Sequence, residues 1–377
     1  MFHAPEQFPR RILLAVTGMS PQIVTETLWA LAVRQDPRFL PTEIHVVSTQ
    51  EGADRVRLQL LASESGYFHR LRADYDLPEI LFGEAQIHVI HNADGPLSDI
   101  RSPADNEAAA DYLTTLVQEL TQDADAALHV SLAGGRKTMG YYLGYALSLF
   151  GRPQDRLSHV LVSEGYESSP LFFYPTPKQQ IIYVGPQQRP LDTAQAQIDL
   201  AVIPFVRLRE DLPTKYLHEG LRFTEVVAAA NRALQEPLLE IDVVQGAVYA
   251  DGQCVTKSPL QVALCWWLAE AAQGGEPAVD WTAPEAADEF LGRLRRLVSE
   301  MSGEYEKAEE ALAWRRNDPV ENKGYFSPLR TRTESAFAAV LGPSAARRYA
   351  IRRLGQRGRE QFYGFALETD QIIIRSS

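Results

Sequence analysis

From Arg11 onward, short runs of aliphatic and β-branched residues alternate with stretches whose apolar positions recur every three or four residues. A short continuous apolar run bounded by turn residues suits a strand buried on both faces, and the longer period is the buried stripe of a helix packed against it. The pattern predicts strands over Ile12 to Val16, Glu43 to Ser48, Gln86 to Ile90, Ala127 to Leu132 and Leu157 to Val162. It predicts helices over Pro21 to Val33, Ala53 to Ser65, Pro103 to Leu120 and Lys137 to Phe150. Strand followed by helix, repeated, implies an α/β fold, here a Rossmann-like domain with a mostly parallel sheet over residues 1–200. Asn92 to Asp99, with Gly95 and Pro96, reads as a polar loop placed to cover a ligand. Pro170 to Pro190 contains two β-like pieces, Leu171 to Tyr174 and Gln180 to Val184, and is expected to close the sheet.

Past residue 200 the helical stretches lengthen and arginines cluster, so residues 201–377 are expected to form a second domain. The 377 residues support this, since a single core stops growing at roughly 250. Ser258 and Pro259 open a helix over Leu260 to Ala271 in the order of a cap followed by a first-turn proline, and another helix covers Pro284 to Glu300. Tyr349 to Ile351, Phe362 to Leu367 and Gln371 to Ile374 have the character of the strands and wing of a winged-helix module. Gly303 to Arg316 reads as an additional exposed helix.

Composition narrows the chemistry. A formal charge of −12 repels a polyanion at long range, so a nucleic-acid ligand must be held by a local basic cluster, which suits a short or cyclic ligand better than a duplex. Cys254 and Cys265 supply neither a disulfide framework nor a zinc quartet, and both are expected to be buried packing residues. His88 and His91 alone cannot close a metal site, and no metal or other cofactor is expected. Met1 to Arg11 lacks the apolar segment of a signal peptide, and no apolar run reaches the roughly 20 residues of a membrane span. A cytoplasmic protein without membrane contact is therefore expected.

In a doubly wound sheet the ligand crevice lies beyond the carboxyl ends of the strands. Two loops there carry chemistry. Thr17-Gly18-Met19-Ser20-Pro21-Gln22 follows the first strand, where backbone amides and the dipole of the next helix favour a phosphate. Ser20 is expected at the N-cap with Pro21 behind it, its hydroxyl directed to helix amides or to a phosphate oxygen. Ser131-Leu132-Ala133-Gly134-Gly135-Arg136-Lys137-Thr138 follows the fourth strand and sets two cations at a helix start, where the macrodipole opposes them. A bound anion would resolve that conflict. Neither loop is a Walker A sequence or a G-x-G-x-x-G dinucleotide fingerprint.

With these loops in view, the sequence resembles the CARF-domain ring nucleases of type III CRISPR systems. The resemblance is clearest from Leu13 to Leu28, through Thr17-Gly18-Met19-Ser20-Pro21-Gln22. A second block runs from Gly134 through Arg136, Lys137, Thr138, Met139 and Tyr142 to Arg152, Asp155, Leu157, His159 and Val160. It implies a Rossmann-like CARF domain followed by a helical, winged-helix C-terminal domain, and a homodimer that binds cyclic tetra-adenylate on its two-fold axis. By the same resemblance Ser20, Arg136 and Lys137 would act in cleavage, with Thr17, Gly18, Met19, Gln22, Gly134, Gly135 and Thr138 in ligand binding. The implied reaction is attack of a ribose 2′-hydroxyl on the neighbouring phosphorus without a metal ion, giving linear di-adenylate with a 2′,3′-cyclic phosphate. The alternative is a sensor that binds the ring intact and regulates transcription through the winged-helix tail. Many CARF proteins carry a second RNase module built on arginine and histidine, and this chain has no histidine after His218.

His45, His88 and His129 fall inside strands, and His159 inside the fifth, so packing is their expected role rather than catalysis. Trp266 and Trp267 are expected in the core. Arg347, Arg348, Arg352, Arg353, Arg357 and Arg359 lie near the wing and could meet a nucleic-acid backbone, but with so acidic a chain DNA is the weaker expectation beside a solvated face or dimer surface.

Overall fold

Ile12 to Val16 in the first strand and every residue of Glu43–Ser48 and Ala126–Ser131 are buried, as a strand sandwiched between two layers of helix requires. In the computed structural model, residues 4–63, 66–167, 169–213, 215–218, 222–232, 236–274, 278–313, 319–357 and 360–376 are described. They fall into two units, Met1–Arg209 with Leu217–Val226, and Glu210–Tyr216 with Val227–Ser377.

The first unit runs β1 (Arg10–Val16), α1 (Gln22–Trp29), β2 (Glu43–Ser48), α2 (Gln50–Gln59), α3 (Tyr67–Asp74), β3 (Ile87–Val89), β4 (His91–Asn92), β5 (Gly95–Pro96), α4 (Pro103–Leu120), β6 (Ala126–Ser131), α5 (Lys137–Phe150), β7 (Arg156–Val162), β8 (Ile181–Val184), β9 (Arg189–Asp192) and β10 (Ile198–Val202). The six-stranded sheet has the order β10-β7-β6-β1-β2-β3. Only β10 is antiparallel to its neighbour, so the expected α/β class with a mostly parallel sheet holds. Leu13, Ala15, Ile44 and Val46 share one core with Val24 and Leu28 of α1 and Phe68 and Leu71 of α3. The chain leaves β1 toward β2 and β3, then returns to place β6 on the other side of β1. That reversal makes the gap between β1 and β6 the switch point of the sheet.

Several expectations need correction. The sheet is closed by β10, not by Leu171 to Tyr174, and β8 pairs with β9 in a separate hairpin. Phe172, Phe173 and Tyr174 instead bury their rings, with Phe173 stacked on Tyr67 at 3.5 Å, so this apolar run is a core plug and not a strand. The helix expected over Ala53 to Ser65 starts earlier, at Gln50, and ends at Gln59; residues 64–65 lie outside the described residues. The polar loop after β3 contains the β4–β5 hairpin.

Helices α6 (Lys215–His218) and α7 (Phe223–Arg232) each contribute residues to both units. The second unit contains β11 (Leu239–Asp242), β12 (Ala247–Ala250), β13 (Gln253–Thr256), α8 (Pro259–Gln273), β14 (Val279–Asp280), α9 (Ala286–Leu297), α10 (Gly303–Ala313), α11 (Pro319–Leu341), α12 (Pro343–Ala346), β15 (Ile351–Arg357), β16 (Glu360–Phe365) and β17 (Ile372–Arg375). Two sheets form, β13-β12-β11-β17 and β14-β16-β15. The final strand therefore does not join the β15–β16 pair as expected but runs parallel to β11, and Tyr349 ends a 3-10 turn. Helix α8 lies at the centre of this unit's core, with Trp266, Trp267 and Cys265 all buried. Cys254 is exposed, against expectation, because side chains alternate along β13 and its neighbour Val255 takes the buried face. Helix α10 buries Tyr305, Ala308 and Leu312, so it is half-embedded where an exposed helix was expected; 314–316 lie outside the described residues. Arg359 lies outside them as well. No described helix is long and apolar enough to cross a membrane.

Candidate functional site

Strands β1 and β6 are parallel neighbours with Ala15 opposite Ser131, so the two loops singled out in the sequence leave the same end of the sheet side by side. Gly135 has φ +76°, a left-handed conformation that side chains with a β-carbon adopt at a cost. A β-carbon on Gly18 would lie 3.5 Å from the Gly135 Cα, which measures how closely the backbones approach. Thr17 is fully buried and braces the first loop. Its amide donates to the Val47 carbonyl at 3.0 Å and its hydroxyl to the Ser20 carbonyl at 3.0 Å, while the Ser48 hydroxyl donates to the Thr17 carbonyl at 2.6 Å.

Between the loops lies a cavity of about 300 Å³ walled by Thr17, Gly18, Met19, Gly135 and Arg136. Thr49, Glu51, Asp99 and Met139 complete the wall. Thr49 and Glu51 follow β2 directly and so also stand at a carboxyl strand end, a position the sequence could have flagged. Asp99 ends the polar stretch after β3 that the sequence marked as a ligand cover, although nothing local tied it to Arg136.

The cations at the start of α5 resolve their conflict with the helix dipole differently from the expectation. Arg136 takes the N-cap position and binds Asp99 through two nitrogens, with Nε donating to Oδ1 at 3.1 Å and Nη2 donating to Oδ2. The anion is thus the protein's own. Asp99 also accepts from Arg101 Nε at 3.2 Å and from the Ile100 amide at 2.8 Å. Hydrogen bonding from Arg136, with the Ile100 amide and Arg101 adding to it, holds the Asp99 carboxyl down to about 2. The same hydrogen bond raises the Arg136 guanidinium further. A bidentate ligand contact through the Nε side of Arg136 is therefore not open.

Lys137, the first residue of α5, is exposed and has no ion-pair partner among the described residues, and Thr138 beside it is exposed. Ser20 is exposed but does not cap α1. Pro21 occupies the N-cap, and proline has no side-chain group to bond the helix amides, so the Ser20 hydroxyl is left without a partner among the described residues. Gln22 is buried and donates from Nε2 to the Pro170 carbonyl at 3.2 Å, which makes it a packing residue beneath the loop. Gly134 likewise serves close packing, against Val16 and Thr17. The structure thus gathers Thr17, Gly18, Met19, Gly135 and Arg136 around the cavity, with Ser20, Lys137 and Thr138 exposed on the same two loops.

Of the strand histidines, His45 and His129 are buried and His88 and His159 are half-buried. His45 Nδ1 and His88 Nε2 lie 2.8 Å apart, and burial pushes His88 down to about 4. His129 contacts the Ser158 hydroxyl at 2.7 Å, with burial pushing it down to about 3. Arg152 and Asp155 form a buried ion pair at the opposite end of the sheet, where Asp155 also accepts from the Leu128 amide at 2.9 Å. No group of three or more His, Cys, Asp or Glu is placed to hold a metal ion among the described residues.

Fold and crevice together define an α/β protein whose Rossmann-like first unit offers a glycine-lined crevice at its switch point, with Arg136 beside Asp99 and Glu51 in its wall. The chain belongs to the family of CRISPR-associated protein NE0113, whose profile matches residues 20–236. No curated protein matches the chain. Among solved structures, Enterococcus italicus Csm6 bound to cyclic hexa-2'-fluoro-hexa-dAMP is similar at 11% sequence identity and a TM-score of 0.26, over 87% of this chain and 60% of that one. The chain thus spans less than two thirds of that protein's length.

Proposed function

We propose that this protein binds cyclic tetra-adenylate as a homodimer and cuts the ring to linear di-adenylate ending in a 2′,3′-cyclic phosphate, without a metal ion, switching off type III CRISPR signalling. The observation that carries the reading is the meeting of the two loops at the switch point, with Arg136 in the cavity wall and Ser20 and Lys137 exposed beside it. The family match supports the CRISPR setting. A cavity of about 300 Å³ lies at the small end of ligand pockets and would take part of such a ring. A two-fold partner would supply the same loops to the rest.

In this reading the 2′-hydroxyl attacks phosphorus and gives its proton to solvent, and the 5′-oxygen departs and takes a proton from solvent to become a hydroxyl. Two such cuts yield two di-adenylates. The protein's contribution is to hold attacking and leaving oxygens in line and to stabilise the charge that grows on the phosphoryl oxygens. Lys137 and the free amino group of Arg136 would face that charge, while Ser20 and nearby amides orient the ribose-phosphate. Incubation of the purified chain with the ring in EDTA is expected to release the cyclic-phosphate product. A ring left intact after hours would sink the proposal.

The second reading, a sensor acting through DNA, draws on the element order α8, β14, α9, α10, α11, β15, β16. In this reading that order would be the helix, strand, helices and hairpin of a winged helix with one helix added. Arg352 and Arg353 are exposed on β15. An uncut ring together with ring-dependent DNA binding would favour it.

A further inference from the structure

We infer that Asp99 is a positioning residue for Arg136: it grips the guanidinium by its Nε and Nη2 side and fixes it in the cavity wall with Nη1 left for a phosphate oxygen. The part given to Nη1 rests on the reading of the cavity as a phosphate-ester site; the grip of Asp99 on Arg136 does not.

The segment that carries Asp99 is anchored on both sides. Before it, Leu97 is buried, its amide donates to the Ile90 carbonyl at 2.8 Å, and its carbonyl accepts from the Gln50 amide at 2.8 Å. After it, Ser102 and Asp105 form a capping box at the start of α4, with the Arg101 amide donating to Asp105 Oδ2 at 3.1 Å. The polar stretch expected to cover a ligand therefore ends in a fixed post. Arg136, by contrast, sits at an open helix end with 56% of its side chain exposed, and Asp99 is its ion-pair partner among the described residues. A free arginine there would sample many rotamers, and ordering it would weaken ligand binding or misplace the charge. Held at one edge, the planar guanidinium keeps its other edge in a single orientation. Lysine could not do this, having a single ammonium in place of two edges. Arg101 on the same carboxylate leaves the three-residue cluster with one net positive charge, which Glu51 in the same cavity wall offsets. Asp99 remains ionised at any working pH, so the grip does not lapse.

The test uses the full chain with Asp99→Asn, Asp99→Glu, Arg136→Ala and the double variant Asp99→Asn/Arg136→Ala. In single-turnover cleavage of cyclic tetra-adenylate, Asp99→Asn is expected to cut the rate about tenfold or more with affinity changed less than about threefold, since a misplaced charge costs transition-state contact before it costs binding. Asp99→Glu should restore most of the rate. In the Arg136→Ala background Asp99→Asn should add nothing, as a residue acting only through Arg136 must. Independently of any ring, nitrogen-15 NMR should show the Arg136 Nε–H as a distinct, slowly exchanging signal that merges with those of solvated arginines in Asp99→Asn. An Nε–H signal unmoved by Asp99→Asn, or an equal rate loss in both backgrounds, overturns the inference. If the wild-type chain leaves the ring uncut, cleavage fails as its function, and the NMR comparison still decides the role of Asp99.

Discussion

A β-carbon on Gly134 would stand 2.5 Å from the Val16 carbonyl oxygen and 3.2 Å from the Thr17 Cα. The second loop thus runs directly against the end of β1, and this contact lets both loops wall one cavity. Backbone atoms on both sides leave little to yield.

Gly134→Ala is accordingly expected to push the loops apart. Overpacking of this kind costs about 1–3 kcal/mol, visible as a lowered urea midpoint. The folded fraction should also lose ring affinity. Unchanged stability together with unchanged affinity would show that the loops tolerate separation.

Lys137→Ala removes an exposed cation that makes no ion pair among the described residues, so its effect should be confined to the ligand. Loss of a transition-state contact is worth roughly 3 kcal/mol, so cleavage should fall about a hundredfold with binding weakened only modestly. Equal losses in rate and affinity, measured by single turnover and titration, would assign Lys137 to binding alone.

Glu26 in α1 is 5% exposed, and burial, with Glu167 nearby, raises its carboxyl from 4.5 to about 8. Between those values the folded chain holds a proton that the unfolded chain releases. Stability from this group is therefore full below about 4.5 and is lost as pH rises through about 8, with a slope of up to about 1.4 kcal/mol per pH unit. Glu26→Gln should remove that slope and be the more stable protein at pH 8.5. Parallel urea-stability profiles for the two proteins from pH 5 to 9 would contradict this.

Asp155 is fully buried and accepts from the Arg152 guanidinium, the Arg152 amide and the Leu128 amide. Asp155→Ala leaves a buried guanidinium without its carboxylate, which typically costs about 3–5 kcal/mol. A denaturation midpoint within experimental error of the wild type would refute that structural role. This pair belongs to the sequence block that carries the CARF resemblance, yet it ties β6 to the turn before β7 and stands at the end of the sheet away from the cavity.

The chain's own pattern determined the elements whose signals are local. The bounds of β2, α4 and α5 coincide with the expected ones, because apolar period, the Ser102 cap with its following proline and the glycines before Lys137 act over a few residues. The two glycine-bearing loops were legible for the same reason, since a loop that follows a strand in an α/β unit must emerge at the carboxyl end. Tertiary structure alone decided what depends on where the chain returns. Asp99 reaches Arg136 across 37 residues, β10 takes the sheet edge expected of Leu171 to Tyr174, and β17 pairs with β11. Each of these is a contest between distant segments for one partner. Burial and electrostatics settle it only after the layers have packed, and no short stretch of sequence encodes the outcome.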